Sequence, residues 1–547
     1  MLERFRIRAM GPGDRAIALV VVVVLLAAVA FVVVRALPEK CGDGFEEAAK
    51  ECVGVTAGAL DGDPELDGLI RDVADENARV EKGWKDPENG EAHIPYVRVA
   101  LMMPFTTDAT SSMSTAQIAR ALAGAHVAQL RANAQAGPRY QLLLANDGKD
   151  LDHWGPVVER LAPMAADKES PLVGVFGMPN STPDTLAAAK ALSAHRIPTI
   201  GPILTSTTMQ AGYFFKTSPS NDLLVRALGS YLEKNPGGAT GFLVSDRREQ
   251  DSYSTDLRDV FLKHFGKKYG LKQRQASYLG LIGDDKGVPQ RFADVARSIC
   301  LTKADTVFFA GRDHDLPHLV NQLASEPSCS HTMPTRILKV GIGMDPESTG
   351  TEITAHLRAA RITLVGAASV DTLSWKDPAR LPAGPQGFLE QFEKLRKTMP
   401  ASHPAWGAKP LDDGYAVMYH DAFTVLAQAT DRAYDDINGK EGEGKGGDRK
   451  KKPGAVELPS HDDVYNTVVN MNILGTDKGA SCVNCMRGAS GTFGFDDSPD
   501  TRKWAVCKPV PVIEYPPAAA PAGKDGKDKK PDRVYRTYED NFDGSCP

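Results

Sequence analysis

Seven short apolar runs, each followed by a stretch of helical length, constrain this chain more than any other feature. The runs are "YVRVALMMP", "RYQLLLAND", "PLVGVFG", "IPTIGP", "ATGFLVSD", "ADTVFFAG" and "TRILKVGIG". Amphipathic stretches such as "STPDTLAAAKALSAH" and "NDLLVRALGSYLEKN" lie between them. A strand paired in parallel with its neighbour needs a crossover, usually a helix, to return the chain to the same end of the sheet. The alternation therefore predicts an α/β fold with a parallel sheet covered by helices on both faces. Two tracts break it, residues 437–459 and 516–533, both rich in Gly, Lys, Pro and acidic residues. They are too poor in apolar side chains to fold alone and read as a flexible insertion and the start of a flexible tail, 516–547.

The compartment is indicated by "AIALVVVVVLLAAVAFVVV", residues 16–34, which has no charged residue and lies between Arg15 and Arg35. As a helix it would reach roughly 28 Å, close to the hydrocarbon thickness of a bilayer. Arg4, Arg6, Arg8 and Arg15 precede it, and Asp43, Glu46, Glu47 and Glu51 follow. The positive-inside rule keeps residues 1–15 in the cytoplasm and exports the rest, with residues 16–34 as a transmembrane signal anchor. A cleaved signal peptide, cut after Ala28-Val29-Ala30, is the alternative. The net charge of −6 gives no general electrostatic reason to expect a nucleic-acid partner.

Export suits the eight cysteines, Cys41, Cys52, Cys300, Cys329, Cys482, Cys485, Cys507 and Cys546. Disulfides persist in oxidising compartments, and proximity in sequence suggests Cys41 with Cys52 and Cys300 with Cys329. The other four are left open, with "CVNC" at 482–485 read as structural disulfide partners rather than a redox or zinc pair. Residues 38–94, which contain the first cysteine pair and a helical stretch, are expected to form a membrane-proximal segment.

In an open parallel sheet, ligands bind where the carboxyl ends of strands meet the following loops. Three such loops are rich in hydroxyl residues: "PFTTDATSSM" at 104–113, with Phe105 near its start, "GMPNSTPDT" at 177–185, and "PILTSTTM" at 202–209. Ser and Thr are also ordinary helix caps, and Ser181 or Thr182 would cap the helix after the second loop. Their repetition after successive strands points to a polar small-molecule site.

The order of the motifs, from "YVRVALMMPFT" through "LVGVFGMPNSTPDTLAAA", "HRIPTIGPILTSTTM", "GFLVSDRREQDSYSTDL" and "ADTVFFAGRDHDLPHLVNQL" to "GASGTFGFDDSPDTRKW", resembles extracytoplasmic solute-binding proteins of the branched-chain amino-acid type. The resemblance covers roughly residues 95–515. It implies the type 1 periplasmic binding fold: two Rossmann-like lobes joined by three crossings of the chain, closing on a ligand. One lobe would comprise about 95–218 and 366–485, the other about 219–365 and 486–515. The family's ligand-contacting positions fall here on Asn180 or Ser181, on Ile203, Leu204, Thr205 and Ser206, on the aromatic Tyr253, and on Asp345 for a ligand amine. Where the family often has glycines beside an aromatic, this chain has Ala310-Gly311-Arg312. Arg312 would either recognise an acidic group of the ligand or form an ion pair of its own.

Other motifs carry less. "GKEGEGKG" at 439–446 begins like a phosphate-binding loop but lacks the Ser or Thr that would hold magnesium. His314 and His318, four apart beside Asp313 and Asp315, read as loop and capping residues rather than metal ligands. "NST" at 180–182 fits a glycosylation sequon. No "HExxH" or "GxSxG" motif is present. The sequence is thus read as a non-enzymatic, cofactor-free binding protein, tethered by its N-terminal helix. It would hold a small polar solute, an amino acid or related amide, for an ABC permease or a membrane sensor partner. The alternative is a ligand-free envelope scaffold that retains the fold.

Overall fold

A computed structural model describes residues 41–538, apart from 43, 49, 61, 88–91, 109–110, 281–289, 330–333, 345–349, 371, 373–374, 376–382, 408, 440–455, 472–483, 496–502, 507, 509 and 517–534. Two seven-stranded mixed sheets form two lobes. In the first, β1 (Phe45–Ala48) and β2 (Glu51–Thr56) pair antiparallel at one edge. The parallel core is β3 (Tyr96–Met102), β4 (Arg139–Asn146), β5 (Leu172–Gly177), β6 (Thr199–Gly201) and β7 (Phe214–Lys216), in the order β4-β3-β5-β6-β7. The second lobe has the same core order, β9-β8-β10-β11-β12. Its strands are β8 (Gly241–Asp246), β9 (Gln275–Tyr278), β10 (Thr306–Ala310), β11 (Arg336–Gly341) and β12 (Thr363–Ala368).

The strand sequences account for this arrangement. Alternate residues point to opposite faces, and both faces of each sheet are covered. Val97, Val99 and Leu101 of β3 pack with the helix Thr115–Asn133, while Ala100 and Met102 pack with the helices Trp154–Ala165 and Pro183–Ala194. Likewise Phe242 and Val244 of β8 face one helical layer and Leu243 the other. Strands buried on both faces need continuous apolar runs, which is why these segments lack the alternation of a half-exposed strand.

The helix Thr115–Asn133 packs along the helix Tyr415–Asn438. Its run of Ala119, Ala121, Ala123, Gly124, Ala125 and Ala128 is buried, and Gly124 lies so close to Ala416 that an added Cβ would stand 2.0 Å from its carbonyl oxygen.

Several expectations shift. The segment 38–94 is no separate module among the described residues: β2 pairs antiparallel with β4, and the helix Asp67–Lys85 packs on β4. A hairpin and an amphipathic helix each have one apolar face to bury, and the edge of the first sheet supplies the partner. The boundary expected near 365 falls inside β12, which belongs to the second sheet. Residues 486–495 hold β13 (Met486–Gly488) and β14 (Gly491–Phe495), whose Met486, Phe493 and Phe495 join the first lobe's core, and β14 pairs antiparallel with the short β15 (Ala505–Val506). The second lobe regains the chain at β16 (Val510–Tyr515), antiparallel to β12. The tail, expected to be flexible throughout, contributes β17 (Tyr535–Tyr538), which pairs antiparallel with β16.

Cys41 is bonded to Cys52 and Cys300 to Cys329, as proximity suggested. Cys485 is disulfide-bonded as well, whereas Cys482, Cys507 and Cys546 lie outside the described residues. The apolar segment 16–34 also lies outside them. Among the described residues no helix is long and apolar enough to cross a membrane.

Candidate functional site

In each lobe the first strand of the unit is flanked by the second on one side and the third on the other. The helices that follow leave in opposite directions and open a crevice at the carboxyl ends of β3 and β5 and of β8 and β10. The two crevices face each other across a cavity of about 250 Å³. That is roughly eight times the volume one molecule occupies in liquid water, the scale of a small polar solute.

The first lobe contributes three loops. After β3 come Ser111, Ser112, Met113, Ser114 and Gln117. Ser114 and Gln117 form a reciprocal cap on the helix that follows, so only part of this loop's polarity is free. The Ser112 hydroxyl has no hydrogen-bond partner among the described residues. After β5, Gly177 and Met178 both take positive φ, 119° and 56°. A Cβ on Gly177 would stand 2.2 Å from the Met102 carbonyl oxygen. This turn places Pro179, Asn180 and Ser181 on the cavity wall, and Thr182 rather than Ser181 caps the next helix. After β6, Ile203 and Thr205 line the wall.

The second lobe brings Tyr253, Arg312, Asp313, His314 and the turn Gly341-Ile342-Gly343. Arg312 makes a bidentate pair with Asp251, Nε to Oδ2 at 3.0 Å and Nη2 to Oδ1 at 2.8 Å. Its Nη1 donates across the cleft to Asn180 Oδ1 at 2.7 Å. The guanidinium also lies over the Tyr253 ring, 5.0 Å from its centroid, and the Tyr253 hydroxyl donates to the Val340 carbonyl at 3.0 Å. Burial disfavours the charged form of both partners, but Arg312 outweighs it at Asp251 and Asp251 outweighs it at Arg312. The carboxyl is held below its ordinary range and the guanidinium above. Burial, with Asp313 nearby, pushes the Tyr253 phenol up, so it is neutral and donates.

Four charged residues of the wall carry counter-ions. Asp108 pairs with Lys149 at 3.2 Å, Asp313 with Lys339, Asp413 with Arg120 at 2.7 Å, and Arg312 with Asp251. What the cavity offers is therefore mainly hydrogen-bonding capacity between apolar patches of Met113, Ile203, Ile342 and Tyr253. The clearest such group is Asn180, 4% exposed, whose Nδ2 has no partner among the described residues.

Of the residues singled out from sequence, Asn180, Ser181, Ile203, Thr205, Tyr253 and Arg312 meet at this cavity, and three others do not. Phe105 is fully buried in the first lobe's core, its N–H donating to Asn146 Oδ1 at 3.2 Å. An apolar ring beside a strand end is taken by the core before it reaches a polar cleft. Leu204 points into the core on the opposite face from Ile203, and the Ser206 hydroxyl is paired with that of Thr208 at 2.8 Å. Alternation along this extended loop separates them from Ile203 and Thr205. Asp345 lies outside the described residues. The sequon asparagine is buried at the cavity between the lobes, so a glycan there is incompatible with this arrangement of the two lobes.

Sequence reasoning passed over Asp413 and Tyr415, which line the cavity from the start of the helix Tyr415–Asn438. Their signal was Gly414 ahead of a strongly apolar helix. It takes φ of 80°, bringing the loop back under Ile342. Of the two histidines considered as metal ligands, His314 lines the cavity and His318 does not. Among the described residues no group of His, Cys, Asp and Glu is placed to hold a metal ion.

Residues 97–326 match the periplasmic binding protein family. No curated protein matches the chain. Among solved structures, an ABC transporter substrate-binding protein from Desulfitobacterium hafniense is similar at 15% identity and a TM-score of 0.50, covering 81% of this chain and 99% of that one. The branched-chain amino acid transporter substrate-binding protein of Streptococcus pneumoniae, in complex with isoleucine, is similar at 13% identity and a TM-score of 0.50, covering 76% and 95%. The architecture is the type 1 periplasmic binding fold that the sequence resemblance implied, and the family match points to a binding protein rather than an enzyme.

Proposed function

We propose that this protein captures a small polar solute, an amino acid or related amide, between its lobes outside the cytoplasm, and delivers it to an ABC-type permease or reports it to a membrane sensor. The observation that carries the proposal is the cavity where the switch-point loops of both lobes converge, with the Asn180 side-chain NH2 buried beside it and without a partner among the described residues. Asn180, Ser181, Ile203, Thr205 and Tyr253 are its ligand contacts. The paired wall charges favour recognition by hydrogen bonds over attraction of a net charge. Residues 16–34 would tether the protein to the membrane with residues 1–15 inside the cell. The isoleucine held by the Streptococcus pneumoniae protein puts amino acids first among the solutes to try.

Three chain crossings join the lobes, so closing them around a solute adds contacts available only in the closed state. A ligand then shifts the open and closed populations by its differential affinity. A thermal-shift screen of the full chain against amino acids, small amides, polyamines and sugars tests this, because a ligand of the native state raises the melting midpoint by mass action. We expect a shift with one class that Thr205→Ala and Tyr253→Ala each reduce at least tenfold in apparent affinity. A flat screen on folded, disulfide-intact protein would favour the envelope-scaffold alternative.

A further inference from the structure

We propose that Arg312 is a latch across the cleft: it holds the lobes together without ligand and, in doing so, turns the Asn180 amide toward the solute. The proposal rests on the closure described above, but not on which solute is bound. Arg312 stands on the loop after β10 in the second lobe, and Asn180 on the loop after β5 in the first. The 2.7 Å bond between them therefore crosses the cleft.

The guanidinium is fixed before it makes that bond. Its Nε and Nη2 are taken by Asp251, which also accepts from the Tyr253 N–H at 3.2 Å and the Ser254 hydroxyl at 2.8 Å at the start of the helix Ser252–Phe265. The Tyr253 ring supports one face. Little side-chain freedom is left to lose when Nη1 meets Asn180, so the bond favours closure.

A guanidinium can only donate, so Asn180 must turn its carbonyl oxygen toward Arg312, which leaves its amide NH2 directed elsewhere. That NH2 is the buried, unpartnered donor beside the cavity. The bond across the cleft thus uses one side of the Asn180 amide and leaves the other to donate to an oxygen of the solute. The arrangement selects a solute with a carbonyl, carboxylate or hydroxyl oxygen at this point and disfavours an ammonium there. Arg312 acts as a positioning residue, and its charge is already matched by Asp251.

Pulsed electron paramagnetic resonance on the ligand-free full chain, with spin labels at the exposed Lys190 of the first lobe and Ser325 of the second, reads closure directly. We expect a mainly short distance in the parent protein. Arg312→Gln, Arg312→Lys and Asn180→Ala should each move the distribution to longer values. Asn180→Ala leaves the Arg312–Asp251 pair intact, which guards against misfolding as the cause. Asn180→Asp still accepts from Arg312, so it should keep the short distance while weakening any solute found in the screen at least tenfold. A parent protein already at the long distance would overturn the latch. So would variants that leave the distance unchanged, including an Arg312→Gln that loses only anionic solutes and thereby assigns Arg312 to ligand charge. These distances are read without ligand, so a flat thermal-shift screen counts against the binding proposal alone.

Discussion

Asp147 shows what one residue contributes that its neighbourhood in sequence does not announce. It follows β4, is buried, and has an oxygen with no hydrogen-bond partner among the described residues. Burial pushes its carboxyl up to about 8, with Asp152 and Glu51 adding to the effect. The folded protein therefore keeps this proton up to about pH 8, while the unfolded chain releases it near 3.8, so the contribution to stability falls as pH rises through that window. Asp147→Asn should remove that part of the slope and stabilise the protein at pH 8 by on the order of 2–4 kcal/mol. Urea unfolding at pH 5 and pH 8 checks this, with the difference expected at the higher pH. Gly124 makes the opposite point, since its value lies in having no side chain. Gly124→Ala would force the helices Thr115–Asn133 and Tyr415–Asn438 apart, at a cost of about 1–3 kcal/mol, read as a lowered melting midpoint with an unchanged circular dichroism spectrum. "ALAGAHVAQ" already showed a face of small residues, but not that Ala416, nearly three hundred positions away, would lie against it.

At the scale of elements, local pattern was a good guide to strands and a poor one to allegiance. The apolar runs became β3 to β6, β8, β10 and β11, because a strand covered on both faces has to be apolar along its length. The hairpin β1-β2 and the strand β17 were missed as sheet members, since "FEEAAKECVGVT" and "YRTY" are polar and short, as edge strands tend to be. The disulfide Cys41–Cys52 ties this hairpin together, and its Cys41 and Phe45 join the first lobe's core. Replacing both cysteines with serine should cost about 2–3 kcal/mol by freeing the unfolded loop. Hydrogen exchange should then quicken in residues 45–56, with the second lobe unaffected.

For the whole molecule, the decisive feature is the hinge, and no local motif marked it. Lys508 is fully buried where the chain returns to the second lobe, and its Nζ donates to the Thr217 carbonyl of the first crossing at 3.0 Å. Burial pushes its ammonium down to about 7, and burial together with Lys503 does the same for Lys216. The unfolded lysines hold their protons to about 10.5, so the unfolded chain binds more protons between pH 7 and 10.5 and stability rises across that range. Lys508→Met, which keeps the stem and removes the charge, should flatten the rise seen in urea unfolding at pH 7, 8.5 and 10. The sequence by itself determined the strand and helix alternation, the polar loops at strand ends and two of the disulfides, because each follows from side chains close together along the chain. Only the tertiary structure decided that residues 45–56 and 535–538 complete the sheets, that Ile203 and Thr205 face the cleft while Leu204 and Ser206 turn away, and that Arg312 reaches Asn180. These depend on which distant surfaces meet, and packing, rather than the pattern of any one segment, sets that.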